Sequence, residues 1–188
     1  DFLRVVLSTG LLYGGLLVLL PQEYALVRND AMGAGLWLAL LPLSLAAIAV
    51  QAGTEELFFR GYLQQQLAAR MPGWPAWMLI PATLFGLAHW APDAAGDNAV
   101  WFALWGCAFG LVAADLTART GALGAALGLH VTNNVFAVLG TALVGPGSGL
   151  ALWHVPMDTG APELAALMPA EFATLFVAWL AARLALKV

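Results

Sequence analysis

Residues 53–70 decide how the chain can fold, and they read GTEELFFRGYLQQQLAAR. Glu56 and Arg60 stand four residues apart and can form an ion pair on one helix face, while Glu55 points about 100° away. Long apolar runs flank this stretch on both sides. An ionised side chain at the centre of a bilayer costs about 2.5–3.5 kcal/mol on insertion scales, so it usually marks a pathway or a reaction site. The simpler alternative is a capped helix start with one structural ion pair.

The composition is typical of a membrane protein. Of the 188 residues, 62% are hydrophobic and only 10% are charged, whereas soluble domains contain about 45–50% apolar and about 25% charged residues. The apolar runs are continuous and lack the alternation of barrel strands. We therefore predict an all-α polytopic integral membrane protein, a single domain over residues 1–188 with about seven membrane helices in one bundle. The net charge of −4 offers no basic surface for nucleic acid. The single cysteine, Cys107, excludes a disulfide framework and a cysteine metal site.

Proline, glycine and polar residues divide the apolar runs. Pro21 ends the first run, and Gly53 is expected to break the second, with Thr54 as the N-cap of the next helix. Residues 71–73, Met-Pro-Gly, predict a tight turn. A span needs about 20 apolar residues in helical form, and we expect helices over residues 2–20, 32–50, 54–70, 74–90, 99–116, 122–144 and 164–186.

The turn at residues 71–73 is expected to bring two polar groups together. The helix before it runs 15 residues from Glu55 to Arg70, and the helix after it runs 14 residues from Pro75 to His89. Both are about 21–23 Å long at 1.5 Å per residue, and a short turn makes them antiparallel neighbours. Glu55 and His89 are therefore expected at the same level, at the open end of this hairpin.

A third polar group lies at residues 130–134, which read HVTNN. His130 and Asn134 share a helix face, whereas Asn133 points about 100° aside. A single buried histidine is usually a core group whose hydrogen bonds are satisfied. Three intramembrane polar groups in one small chain favour a shared site instead. His154, in a loop rich in Gly and Pro, is expected at the surface.

Taken together, the three polar motifs resemble those of a known family. In chain order between residues 50 and 140 they are Glu55-Glu56-x-x-x-Arg60, Phe85-x-x-x-His89 and His130-x-x-x-Asn134. This set is similar to the motifs of the CPBP family, the CAAX proteases and bacteriocin-processing proteins, also called ABI-family intramembrane glutamic endopeptidases. Gly61 and the pair Thr120-Gly121 also fit that pattern.

The resemblance implies a role for each motif residue and implies no cofactor. Glu55 is the implied catalytic carboxylate, which polarises a water together with His89. His130 and Asn134 are implied to stabilise the oxyanion of the tetrahedral intermediate. The implied supporting residues are Glu56 and Arg60, which hold the motif helix in place, with Phe85 from the second motif.

The chemistry of these side chains fits the implied roles. Peptide hydrolysis needs a base for water and donors for the developing negative charge. A carboxylate, two imidazoles and a neutral amide can supply both. No serine or cysteine is placed beside a histidine, which argues against a covalent acyl intermediate, and Ser8 and Ser44 lie in apolar runs.

Two alternatives remain open at the level of sequence. Glu55, His89 and His130 are three N/O donors that, with a water, would form a reasonable zinc set, although the chain lacks a His-Glu-x-x-His motif. The same polar groups could instead line an ion or solute pathway, or belong to a scaffold or immunity protein that binds a partner without cleaving it.

The expected substrate is a protein or peptide with an apolar or lipidated C-terminal segment that enters from the membrane lipid. Candidates are a prenylated protein that loses a C-terminal tripeptide, a bacterial sorting tail and a bacteriocin leader. A short chain rich in Ala, Leu, Gly and Trp is typical of bacteria, so we expect the inner (cytoplasmic) membrane. If all seven helices cross, Arg4 and the Glu55–His89 end of the hairpin lie on the extracytoplasmic side. The basic residues on the other side, which the positive-inside rule makes cytoplasmic, are Arg28, Arg70, Arg119, Arg183 and Lys187.

Overall fold

The computed structural model describes residues 1–19, 25–71 and 73–188, which form a helical bundle with one small sheet. The long helices are α1 (Phe2–Leu19), α2 (Ala34–Arg70), α3 (Trp74–Ala88), α4 (Ala99–Thr120), α5 (Gly124–Val135) and α6 (Leu164–Leu186). Four described helical stretches are long and apolar enough to cross a membrane: α1, α2, α6 and Pro92–Thr120, which ends in α4. Leu11, Leu43 and Leu184 are exposed along them, as in helices that face lipid. The prediction of an all-α polytopic membrane protein is confirmed.

Helix α2 is continuous over 37 residues, so the predicted break at Gly53 is wrong. Thr54 is not an N-cap, because its hydroxyl donates to the carbonyl oxygen of Val50, one turn back, at 2.8 Å. In lipid no water replaces a lost backbone hydrogen bond, so a single glycine need not interrupt a helix. The three parts of α2 are the α-helix Ala34–Glu56, the π-helical segment Leu57–Leu63 and the α-helix Gln64–Arg70.

The other predicted helices are present, most of them with different ends. The predicted stop at Pro21 and the proline of the 71–73 turn lie outside the described residues. Helix α4 continues to Thr120, so most of the predicted 117–121 connection is helical, and Gly121 ends it at φ 64°. Helix α5 passes into a π-helical segment, Phe136–Gly140, and α6 has the predicted bounds. The predicted helices 32–50 and 54–70 form the single helix α2.

A three-stranded sheet joins the loop before α2 to the segment before α6, where no strand was predicted, and the helix expected to reach residue 144 was wrong at residues 141–143, which form a strand. Its strands are β1 (Val27–Arg28), β2 (Thr141–Leu143) and β3 (Trp153–Val155). The central strand β3 pairs antiparallel with β1 and parallel with β2. Arg28 donates to the carbonyl oxygen of Leu152 at 2.9 Å. His154, which was expected at the surface, is half-buried in β3, 3.2 Å from the carbonyl oxygen of Ser148.

Helices α3 and α4 pack backbone against backbone at glycines. A side chain at Gly110 would place its Cβ 2.7 Å from Cα of Ala82, and one at Gly86 would collide with the carbonyl oxygen of Ala103. Small residues allow this close approach between membrane helices. The pair therefore holds His89, which follows the last residue of α3, against α4.

Candidate active site

The three motifs meet where α2, α3 and α5 converge. Glu55 and Glu56 lie at the end of the first part of α2, His89 follows α3, and the third motif lies in α5. A cavity of about 60 Å³ lies between these helices. Its polar wall consists of Gln51, His89, His130, Asn133 and Asn134, and aromatic side chains complete it.

His130 lies between the two carboxylates of the first motif. Its Nδ1 is 2.7 Å from Oε1 of Glu56, and its Nε2 is 3.7 Å from Oε2 of Glu55. The side chain of Glu56 is 1% exposed, whereas that of Glu55 is 30% exposed. Among the described residues, Oε2 of Glu55 has no hydrogen-bond partner. Glu55 is therefore the more exposed of the two carboxylates, and its oxygen without a partner, Oε2, is itself buried.

Glu56 and Arg60 form the predicted ion pair, 2.9 Å from Oε1 to Nη1, and both side chains are 1% exposed. Arg60 also donates through Nη2 to the carbonyl oxygen of Gly110 at 3.3 Å, which ties α2 to α4. Its guanidinium carbon lies 4.7 Å from the ring centroid of Phe85. These contacts satisfy a buried cation with a carboxylate, a carbonyl and an aromatic face, as a structural support requires.

The contact with Glu56 determines which nitrogen of His130 carries a proton. Because Glu56 is paired with Arg60, its carboxylate can only accept a hydrogen bond, so Nδ1 of His130 donates. In a neutral imidazole the other nitrogen, Nε2, is then an acceptor. Nε2 can donate towards a substrate only when the ring carries a second proton.

His89 and His130 both line the cavity, and both rings lie close to the ring of Phe85. The centroid of that ring lies 4.7 Å from the centroid of His89 and 5.9 Å from that of His130. Nδ1 of His89 is 2.8 Å from the carbonyl oxygen of Phe85. A carbonyl oxygen only accepts, so Nδ1 donates and the neutral ring has an acceptor at Nε2.

Asn134 is connected to Glu55 through a residue that the sequence analysis missed. Nδ2 of Asn134 donates to Oε1 of Gln51 at 2.7 Å, and Nε2 of Gln51 donates to Oε1 of Glu55. The predicted break at Gly53 had placed Gln51 outside the motif helix. In the continuous helix it stands one turn before Glu55 on the same face, which was the available signal.

A larger cavity of about 390 Å³ lies further along α2, between its last turns, helix α3, the end of α4 and the loop 121–123. Gln64, Gln65, Trp77 and Thr117 contribute to its wall, which contains no acid or histidine. The smaller cavity, not this one, therefore holds groups suited to acid–base chemistry.

The donor geometry gives little support to the zinc alternative. Within the described ranges, no group of three or more His, Cys, Asp or Glu side chains is arranged to hold a metal ion. The imidazole contacts are compatible with either reading, because histidines that bind a metal commonly direct their other nitrogen at such an acceptor, here the Phe85 carbonyl for His89 and the Glu56 carboxylate for His130.

A protein-family match covers the part of the chain that contains the three motifs. The model of a protein family described as type II CAAX prenyl endopeptidase Rce1-like matches residues 36–136. The uncharacterized protein YyaK of Bacillus subtilis (strain 168) is 35% identical over 120 residues. That alignment covers 63% of this chain and 39% of the Bacillus protein, so the chain spans less than half of this relative's length. No solved structure matches the chain.

Proposed function

The chain belongs to the Rce1-like family of type II CAAX prenyl endopeptidases, and we propose that it is a membrane endopeptidase in which Glu55 activates water. The observation that carries this proposal is a cavity lined by His89, His130 and Asn134 of the second and third motifs, next to the first motif, because Nε2 of His130 is 3.7 Å from Oε2 of Glu55. Its long apolar helices make it an integral membrane protein.

In the proposed reaction Glu55 removes a proton from a water that His89 orients through Nε2. The water oxygen attacks the carbonyl carbon of the scissile peptide bond, and the carbonyl oxygen becomes an oxyanion. Collapse of this intermediate breaks the C–N bond, and the proton held by Glu55 passes to the leaving amine. General acid–base catalysis of this kind contributes about 10²–10⁴-fold to the rate.

Asn134 and His130 are the proposed oxyanion donors. Asn134 has two N–H groups on Nδ2, and one of them is directed at Gln51, so the other remains for the substrate. His130 donates through Nε2 as the imidazolium, because Nδ1 is directed at Glu56. The positive ring would lie between two carboxylates, those of Glu55 and Glu56.

The proposed substrate is a membrane-associated protein segment with an apolar or lipidated C-terminal part. The description of the family supports a prenylated protein that loses its C-terminal tripeptide. Cleavage of a bacterial sorting tail or a bacteriocin leader uses the same peptide chemistry, and the bacterial inner membrane is the proposed location.

The continuous helix α2 changes the expected topology. If each of the six long described helices crosses the membrane, Arg28 is expected on the extracytoplasmic side and Arg4 on the cytoplasmic side. With six crossings the Glu55–His89 end of the hairpin stays extracytoplasmic, which favours a sorting tail or leader. If only the four stretches that are long and apolar enough cross, His89 lies on the cytoplasmic side, which favours a prenylated protein. Reporter fusions after Lys187 and within residues 93–98 test this, because the second should report an extracytoplasmic position for six crossings and a cytoplasmic one for four.

The proposed activity is tested by mass spectrometry of membrane-protein termini in cells that carry the wild type or Glu55→Gln. New termini are expected only with the wild type, and the same termini in both cells would contradict the proposal. Glu163→Gln, the same substitution outside the site, is the matched control. With purified protein, a chelator should leave cleavage unchanged, whereas chelator-sensitive cleavage restored by zinc would support the metal enzyme instead.

A further inference from the structure

Gln51 forms hydrogen bonds to two groups with different proposed roles. Its Nε2 donates to Oε1 of Glu55, the proposed base. Its Oε1 accepts from Nδ2 of Asn134, a proposed oxyanion donor, at 2.7 Å. The two partners stand on different helices, α2 and α5, so this one amide joins the helices at the cavity.

The negative charge of Glu55 sets the direction of both hydrogen bonds. A carboxylate only accepts, so Gln51 must turn its nitrogen towards Glu55. Its oxygen then points away and can only accept, so Asn134 must present its own nitrogen to Gln51. In this orientation the second N–H of that nitrogen is available for an oxyanion. A flipped Asn134 amide would offer an acceptor there instead.

Gln51 also affects which oxygen of Glu55 is available for reaction. It occupies Oε1, while Oε2 has no hydrogen-bond partner in the described part of the chain and lies 3.7 Å from Nε2 of His130. The same amide therefore holds the carboxylate in the orientation that leaves its reactive oxygen at the histidine.

We infer that Gln51 is a positioning residue for the proposed reaction, which fixes the Glu55 carboxylate and the Asn134 amide in their productive orientations. The inference rests on the proposed function. Gln51 acts through its neighbours and does not itself touch the reacting atoms. Outer-shell partners of this kind typically change activity by about 10–100-fold when they are removed.

The test compares Gln51→Met with Gln65→Met, the same substitution later in α2 at a residue remote from the site. The probe is an internally quenched peptide with a farnesylated cysteine followed by three residues, or the peptide defined by the terminus analysis. In Gln51→Met we expect a kcat about 10–100-fold lower, a KM within about twofold of the wild type and an unchanged melting temperature. Gln65→Met should keep the wild-type kcat.

A second variant, Gln51→Glu, gives a readout that a purely structural role would not change. It still accepts from Asn134 but places a carboxylate beside Glu55. Like charges disfavour the ionised form, and Glu55 must be ionised to act as a base. The acidic limb of the activity–pH profile should therefore move to higher pH, with partial recovery of kcat at alkaline pH.

The outcomes separate this inference from the proposed function. A wild type that cleaves, together with a Gln51→Met variant of wild-type kcat and a Gln51→Glu variant of wild-type pH profile, overturns the inference alone. A wild type that cleaves neither probe overturns the proposed function and the role of Gln51 with it. If Gln51→Met fails to fold, the pH profile of Gln51→Glu decides.

Discussion

Glu56 and His130 lie 74 residues apart in the chain and are joined by a hydrogen bond of 2.7 Å in the buried interior. Arg60 donates to the same oxygen of Glu56 at 2.9 Å. One carboxylate oxygen therefore both balances the charge of the arginine and orients the imidazole. Among the described residues the second oxygen of each glutamate has no hydrogen-bond partner, so the two neighbours differ in exposure, 30% for Glu55 and 1% for Glu56.

Removal of Arg60 should destabilise the fold strongly. Arg60→Ala leaves Glu56 as a buried carboxylate without its main partner, and loss of one member of a buried pair costs about 3–5 kcal/mol. The matched control is Arg119→Ala, because Arg119 also pairs with an acid four residues away, Asp115, but is 41% exposed. An exposed pair contributes about 0.3–0.5 kcal/mol. Thermal unfolding in detergent measures both, and equal losses would contradict the support role of Arg60.

Truncation of Asn134 should reduce turnover more than stability. Asn134→Ala removes one oxyanion donor, and such a loss lowers kcat by about 10²–10³-fold. KM should change little, because the interaction forms only in the transition state. Steady-state kinetics with the cleaved peptide measure both constants. A raised KM with an unchanged kcat would assign Asn134 to substrate binding.

The three histidines should respond differently to the same substitution. His89→Ala and His130→Ala remove imidazoles of the cavity, and kcat should fall by about 10²–10⁴-fold. His154 lies in β3, outside that cavity, so His154→Ala should keep the wild-type kcat. Comparable losses in His89→Ala and His154→Ala would show that the first histidine acts through folding.

Two glycines should respond in opposite directions to alanine. Gly110→Ala would bring a Cβ within 2.7 Å of Cα of Ala82, and overpacking typically costs about 1–3 kcal/mol. Gly53 has no atom within 4 Å of an added Cβ, so Gly53→Ala should raise stability by about 0.5–1 kcal/mol in a continuous helix. Melting temperatures test both, and a destabilised Gly53→Ala variant would favour the helix break at that position.

The ion pair within the first motif could be predicted from the sequence because it depends only on the spacing of two residues in one helix. Glu56 and Arg60 pair as their spacing requires. The cavity has His89 and His130 in its wall, and the expected placement of Glu55 at the level of His89 stays a prediction. Residue roles came from the resemblance, and the structure supplies the contacts from which they can be argued.

The continuity of α2 and the contact between Glu56 and His130 could not be predicted, because they depend on the lipid surroundings and on packing between helices. Gly53 was expected to end a helix, as glycine often does in water, but no competing solvent is present in lipid. Because of that error, Gln51 was not predicted as a site residue. The bond between Glu56 and His130 needs the packing of α2 against α5, and periodicity within one helix cannot indicate it.

The length of helix α2 affects how the molecule is placed in the membrane. At 1.5 Å per residue its 37 residues extend about 55 Å, while the hydrocarbon layer of a bilayer is about 30 Å thick. A helix of this length must tilt or extend beyond the hydrocarbon layer, and lipids of different chain length change its tilt. The depth of Glu55, the proposed base, is therefore coupled to the thickness of the host membrane, and acyl-chain length becomes a means of adjusting which peptide bonds it would meet.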